Sequence, residues 1–365
     1  EHALQHLKTT RGKINAPAIS AAVTMDGTLV WAGANGWSDV KHRRPATPDT
    51  RFRIGSTSKG VTSAVLARLV DQESIELNRP IGTYFPDLPN PRWQHMTTRQ
   101  LASHTAGLPH YKENTDMLGL YQTLALNKRY TNVENALNVF DSSELLFEPG
   151  TKYSYSSFGT VLLSAVMQRA TNTPFLTLAK QQVTTPLNLT SIKAEFEVDD
   201  KEPLAHFYWN DKGRSKLVKE WRSVDLSHRL AGGGFVSTSS DLARLGAGFM
   251  DDAFISKTTR ERFWTALPLP DGSQPPYNYA VGWRVITHDF GDGIGEIRVA
   301  NHGGVSRGAQ SWLMMLPDFN MAVAVNINSN TDVFWDFASV SMDIARVFIL
   351  HAKRIKSIRI PGSTD

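Results

Sequence analysis

Ser56-Thr57-Ser58-Lys59 sets a hydroxyl and an amine three residues apart where a helical apolar pattern begins. On a helix, positions i and i+3 share a face, so the Lys59 amine points back toward the Ser56 hydroxyl. The dipole and free N–H groups of a helix start favour negative charge developing on oxygen. A lysine held in a partly desolvated cleft can lose its proton near neutral pH and act as a base, which makes Ser56 a candidate nucleophile. The same residues also fit a helix capped by a serine beside an exposed lysine. A second match to the spacing, Ser38-Asp39-Val40-Lys41, lies in a turn-rich stretch with no helix after it.

Two further stretches carry groups of the right kind. Tyr153 to Gly159 follows a Pro-Gly turn and crowds hydroxyls at the entrance of the apolar helix expected over 161–170. There Tyr155 can relay a proton if cations lower its pKa, or it can be a buried tyrosine with a satisfied hydroxyl. Asn301-His302-Gly303-Gly304-Val305 lies between two expected strands. Glycines there let a backbone approach a substrate, and the following N–H can donate to an oxyanion. His302 can donate a hydrogen bond or hold a neighbour's charge, or it can be a structural strand histidine. Gly304-Val305-Ser306-Arg307-Gly308 matches G-x-S-x-G, but that elbow needs a helix next, and Ser311 to Leu316 reads as a strand; Ser306 is not the expected nucleophile. No H-E-x-x-H occurs, and His104 with His110 lacks helical ligand spacing, so neither a metal nor another cofactor is expected.

The elements that must position these groups begin with a short helix over the first fifteen residues. Two β-prone runs, 19–25 and 28–32, flank Asp26-Gly27 and predict a hairpin. Asn35-Gly36 reads as another turn and 51–54 as a short strand. Val61, Val65, Leu66, Leu69 and Val70 recur at helical spacing, with a stop before Asn78-Arg79-Pro80. Residues 97–200 read as mostly helical, and Ser239-Ser240-Asp241 caps a further helix after a glycine bend at 232–234. Strands are expected at 279–285, 297–300, 311–316 and 321–327, and a closing helix over 333–350. Strands at both ends around a helical middle predict a sheet domain of residues 1–60 and 240–365 interrupted by a mostly helical domain, 61–239.

Composition excludes several classes. The 365 residues are 41% hydrophobic and 20% charged, an ordinary globular balance. The net charge of +4 is scattered; its densest clusters, 41–44 and Lys353, Arg354, Lys356 and Arg359, have no interleaved aromatics, so nucleic acid is not an expected partner. Cysteine is absent, which removes disulfides and thiolate chemistry. No run reaches the about 18 apolar residues of a membrane span. The chain begins at Glu1, which reads as a mature or trimmed form.

Taken together and in order, Ser56 to Lys59, Tyr155 to Ser157 and His302 to Gly304 resemble the S-x-x-K, Y-x-N and K-T-G or H-x-G motifs of class C beta-lactamases and penicillin-binding proteins. Their intervals of about 100 and about 150 residues also suit that family. Leu101 to Pro109 is similar to its LLxHTSGLP segment, and Ala231 to Thr238 with Asp241-Leu242 to its AGGGxxST..DL segment. The resemblance runs from about residue 12 to about 350, and is strongest to the eukaryotic mitochondrial serine beta-lactamase-like branch and its bacterial relatives.

The resemblance implies an α+β fold, an antiparallel sheet flanked by helices plus an all-helical domain, with the site in the cleft between them. It implies Ser56 as nucleophile, Lys59 and Tyr155 as acid–base partners, and the Ser56 and Val305 N–H groups as the oxyanion hole. Ser157, His302, Gly303, Gly304 and Val305 would contact a small-molecule or peptide substrate. Two departures weigh against an efficient beta-lactamase: Ser157 replaces the usual asparagine, and His302 replaces a permanently charged lysine. The expected activity is hydrolysis of amide or ester bonds through an acyl-enzyme, with peptidase ahead of esterase and beta-lactamase. The alternative is a slowly turning over scaffold that forms homo-oligomers. The family implies a periplasmic or secreted location, or a mitochondrial one in a eukaryote.

Overall fold

Asp26 and Gly27 both take positive φ, 48° and 75°, the turn whose twist suits a two-residue hairpin. They join β1 (Ala18–Met25) to β2 (Thr28–Asp39), which follow the opening helix α1 (His2–Lys13). The computed structural model describes residues 1–209 and 218–358; Arg359 and the middle of the 200–230 loop lie outside them. Short strands β3 (Arg44–Pro45) and β4 (Phe52–Arg53) lead to a 3-10 turn, Gly55–Thr57, and to α2 (Ser58–Asp71). Helices α3 (Thr98–Ala102), α4 (Met117–Ala125), α5 (Ser157–Thr171) and α6 (Phe175–Ala179) then alternate with long loops. Short strands β5 (Lys193–Ala194), β6 (Tyr208–Trp209), β7 (Lys219–Glu220) and β8 (Phe235–Ser237) precede α7 (Ser239–Met250) and α8 (Lys257–Trp264). The chain returns to strands with β9 (Arg284–Asp289), β10 (Glu296–Ser306), β11 (Ala309–Leu316) and β12 (Met321–Ile327). It closes with α9 (Trp335–Ala338) and α10 (Val340–Ile358).

The main sheet has seven strands in the order β3-β2-β1-β12-β11-β10-β9, all antiparallel, so the α+β class holds. Both faces are covered, which is why β12 is buried throughout and apolar at every position but Asn326. Met321, Val323, Val325 and Ile327 meet α1 and α10 on one face, while Ala322 and Ala324 face the core that α2, α5 and α7 share. The second face is lined with small residues because α7 lies close: a methyl on Gly246 would come within 2.8 Å of Ala322 Cβ. That core runs without a break from the sheet into the helices of the middle of the chain.

Several expectations need correcting. Asn35-Gly36 is not a turn; both sit inside β2, where Gly36 takes φ 92° and a side chain would strike Pro17 O at 2.1 Å. The stretch 97–200 holds far more loop than helix: between α3 and α5 the described α-helix is α4 alone, and Gly107 and Pro109 mark where helical period fails. Helix α2 does stop before Asn78, at Asp71. Residues 279–283 are not a strand; Tyr279, Val281 and Trp283 are buried as loop anchors, and β9 starts at Arg284. The cap of α7 is Thr238, whose Oγ1 accepts from Asp241 N, rather than Ser239.

Candidate active site

Gly55, at φ 50°, turns the chain from β4 into the 3-10 turn and brings it against β10. A side chain on Gly55 would meet Val305 backbone atoms at 2.6 to 2.8 Å. A side chain on Gly304 would meet Ile54 O, Thr57 N and Ser56 N at 1.9 to 2.8 Å. Two facing glycines therefore permit one close backbone approach, and Ser56 sits on it. No side chain caps the 3-10 turn or α2, so the Ser56 hydroxyl does not serve as a helix cap.

Lys59, one turn on, is buried and lies 3.2 Å from Ser56 Oγ, 2.9 Å from Ser157 Oγ and 2.7 Å from Gly232 O. The Gly232 carbonyl can only accept. A neutral amine has two N–H bonds and one lone pair; with one N–H on Gly232 O and the other on Ser157 Oγ, the lone pair can take the Ser56 proton. Burial, then the positive charges of Arg229 and Arg284, hold Lys59 well below the ordinary lysine range. Among the described residues no carboxylate pairs with it.

Tyr155 comes from the extended approach to α5. Its neighbour Ser156 is the helix cap, accepting from Gly159 N at 3.1 Å and donating to Pro109 O at 2.7 Å. Two histidines brace the same turn: Ser156 N donates to His104 Nδ1 and Ser157 N to His110 Nδ1. The Tyr155 ring lies 4.3 Å from that of His104 and 4.8 Å from Lys59 Nζ. Burial pushes the Tyr155 phenol up, and hydrogen bonding to Ser56 offsets only part of that rise. Burial drives both histidines to the neutral form, His110 down to about 3.

Beyond Gly304, Ser306 and Ala309 close the two-residue hairpin between β10 and β11. Hydrogen bonding alternates outward from that pair, so the Val305 N–H points away from β11, toward the Ser56 side. β10 pairs with β9 only over 296–301, which leaves Gly303 to Val305 as an open edge beside the cleft. The cleft has a volume of about 480 Å³; Ser56, Tyr155, Ser157, Gly303 and Val305 are on its wall.

His302 is not on that wall, which corrects the expectation of a substrate contact. It is fully buried, with Nδ1 against Gly303 O at 2.7 Å and Nε2 against Tyr279 Oη at 2.9 Å. The carbonyl accepts, so Nδ1 carries the proton and Tyr279 donates to Nε2. The ring braces Gly303 from behind.

Ser306 sits in the hairpin with no helix after it, and Ser38 donates to Arg44 O and Pro45 O. Arg229 and Arg284, both on the cleft wall, were not singled out from sequence. Arg229 falls in the 200–230 loop and Arg284 at a strand start, with no spacing to mark either. Among the described residues no group of three or more His, Asp or Glu could hold a metal ion. Nor is any helix of these residues long and apolar enough to cross a membrane.

A serine and a buried, carboxylate-free lysine one turn apart, beside an open sheet edge, define a serine hydrolase of the SxxK type. The chain belongs to the beta-lactamase family, whose profile matches residues 4–340. It is 27% identical to the mitochondrial serine beta-lactamase-like protein LACTB of Homo sapiens, covering 86% of this chain and 71% of that one. Its fold is shared by the octameric penicillin-binding protein homologue from Pyrococcus abyssi, with TM-score 0.76 and 20% identity over 95% of this chain and 76% of the other. D-amino acid amidase from Ochrobactrum anthropi SV3 shares it too, with TM-score 0.75 and 22% identity over 98% and 99%. The fold is thus beta-lactamase/transpeptidase-like, as the motifs predicted.

Proposed function

We propose that the protein hydrolyses amide or ester bonds of a small molecule or peptide through an acyl-enzyme on Ser56. The observation that carries this reading is the three-way hydrogen bonding of Lys59, which holds its amine within reach of the Ser56 hydroxyl. Ser56 Oγ attacks the substrate carbonyl carbon while its proton passes to Lys59 Nζ. The oxyanion accepts from the N–H groups of Ser56 and Val305. As the tetrahedral species collapses, the carbon–leaving-group bond breaks and the leaving group takes the proton, directly from Lys59 or through the Tyr155 hydroxyl. Water then attacks the ester, loses a proton to Lys59, and releases a carboxylic acid and the Ser56 hydroxyl.

Lys59 is the base in preference to Tyr155 because its environment favours the neutral amine, whereas that of Tyr155 also favours its neutral, proton-donating form. Ser157, one atom pair shorter than the family's asparagine, steadies the amine and has less reach toward an acylamide, which fits peptidase or esterase better than beta-lactamase. The test is a pre-steady-state burst with a 4-nitrophenyl ester. A burst matching the enzyme concentration, absent in Ser56→Ala and Lys59→Met, supports the reading; a burst that survives Ser56→Ala contradicts it.

A second reading, self-association, is favoured by α4. Met117, Leu118, Tyr121 and Leu124 are all more than 60% exposed on a helix with no charged residue. The octameric archaeal neighbour lends it support. Light scattering against concentration tests it: assembly that Leu118→Glu with Leu124→Glu abolishes supports this reading, and a monomer at every concentration removes it.

A further inference from the structure

The Val305 N–H can stand beside Ser56 only if the hairpin that follows it is held, and the tip of that hairpin is a poor holder of itself. Arg307 keeps a negative φ while Gly308 takes φ 70°. That order of signs is the one found in a type II turn, whose twist suits a two-residue hairpin less well than the mirror-image turns. Side chains from two other parts of the chain support it. Asn330, just past β12, spans the tip: its Nδ2 donates to Ser306 O at 3.2 Å and to Ala309 O at 3.1 Å, and its Oδ1 accepts from Gly308 N at 3.2 Å. Arg53 reaches the same tip from β4, and one of its terminal nitrogens donates to Arg307 O at 2.8 Å. Its Nε and other terminal nitrogen grip the two carboxylate oxygens of Glu195 at 2.8 and 2.7 Å, and its buried guanidinium lies 4.0 Å from the Phe207 ring. Each residue from Ser306 to Ala309 is thus tied to one of two side chains.

We infer that Arg53 and Asn330 are positioning residues that set the spacing of the two oxyanion N–H groups, those of Ser56 and Val305. The inference rests on the Ser56 reading above and goes beyond it. Arg53 leads directly into the turn that carries Ser56, and its side chain bonds the hairpin just beyond Val305, so it is a strut between the two halves of the hole. The double bond to Glu195 fixes the plane of the guanidinium, which leaves its remaining nitrogen one direction in which to donate. Asn330 stops the tip from rocking about that strut. Donors stabilise a developing oxyanion only when they are aimed in advance, so the effect belongs to kcat more than to KM.

The experiment compares 4-nitrophenyl acetate with 4-nitrophenyl thionoacetate, in which sulfur replaces the carbonyl oxygen. Sulfur is a weak acceptor, so the thionoester gains little from the hole. The unmodified protein should prefer the ester more strongly than hydroxide does. Two variants are read: Arg53→Met made together with Glu195→Gln, which leaves no carboxylate stranded, and Asn330→Ala. Each should lower kcat for the ester about 10- to 100-fold and that for the thionoester far less, so that the ratio falls roughly tenfold. A general loss of structure would lower both alike. An unchanged ratio in folded variants, whatever the absolute rates, overturns the inference. Asn330 is only half-buried, and its variant carries the test should the Arg53 variant fail to fold. If the unmodified protein turns over neither substrate, or prefers the ester no more than hydroxide does, the Ser56 reading fails instead. Amide hydrogen exchange over residues 304–310 then decides the clamp: exchange about tenfold faster in both variants supports it, and unchanged exchange overturns it.

Discussion

Replacing Gly304 with alanine tests the geometry on which the site depends. The new methyl would lie 1.9 Å from Ile54 O, 2.7 Å from Thr57 N and 2.8 Å from Ser56 N, all of them backbone atoms. Ordinary contact begins at 3.4 Å, so the nearest approach is 1.5 Å too short and no side chain can swing aside to relieve it. β10 and the Ser56 turn must separate, and the Ser56 and Val305 N–H groups move apart with them. A misplacement of about 1 Å costs on the order of 100-fold in rate, and such overpacking costs about 1–3 kcal/mol in stability. Gly303→Ala is the comparison, because its methyl would meet side chains rather than backbone, the Phe334 ring at 2.7 Å and the Trp312 ring at 3.2 Å. The assay is the rate of fluorophosphonate labelling of Ser56, with a melting curve to show that each variant is folded. A folded Gly304→Ala protein that labels at the wild-type rate would refute the close approach as the basis of the oxyanion site.

Other outcomes follow from the same structure. Ser156→Ala removes the cap of α5 and the bond to Pro109 O, so denaturant unfolding should show a loss of about 1–2 kcal/mol, with slower labelling because Tyr155 and Ser157 flank the cap. His104, His110, His228 and His302 are all held below 6.5 by burial, so the unfolded chain binds more protons than the native one below that pH. Stability should therefore fall as pH drops from 6.5 toward about 3, by up to about 1.4 kcal/mol per pH unit for each histidine, and a melting temperature flat between about pH 6.5 and 4.5 would contradict this. Ser306→Ala should leave ester hydrolysis intact, since that hydroxyl lies buried in the hairpin with no partner; loss of turnover in a folded variant would reopen the nucleophile question.

The parts of the site legible in the sequence were those with fixed local spacing. Ser56 and Lys59 share a helical turn, and Tyr155 and Ser157 straddle the cap of α5, so a few adjacent residues define each pair. β11 and β12 were equally readable, because strands covered on both faces leave mostly apolar runs, Trp312 to Leu316 and Met321 to Val325. Arg229 and Arg284 were not readable: they share the cleft wall only because a 3-10 turn, Ser227–Arg229, and a strand start fold to the same side, and neither position has a period or a spacing. His302 was located but misjudged, because a strand alternates its faces and the sequence did not reveal that this one packs against Tyr279. The region 103–156 misled for a related reason; its apolar residues anchor loops, and burial without regular period looks like helix in short windows.

The central claim is that Lys59 activates Ser56, and the most direct test is the intact mass of the protein after brief exposure to a fluorophosphonate, with peptide mapping. The account predicts one adduct per chain, on Ser56, formed quickly in the unmodified protein and not in Lys59→Met. Labelling at another serine, or labelling of Ser56 at an equal rate in folded Lys59→Met, would contradict it.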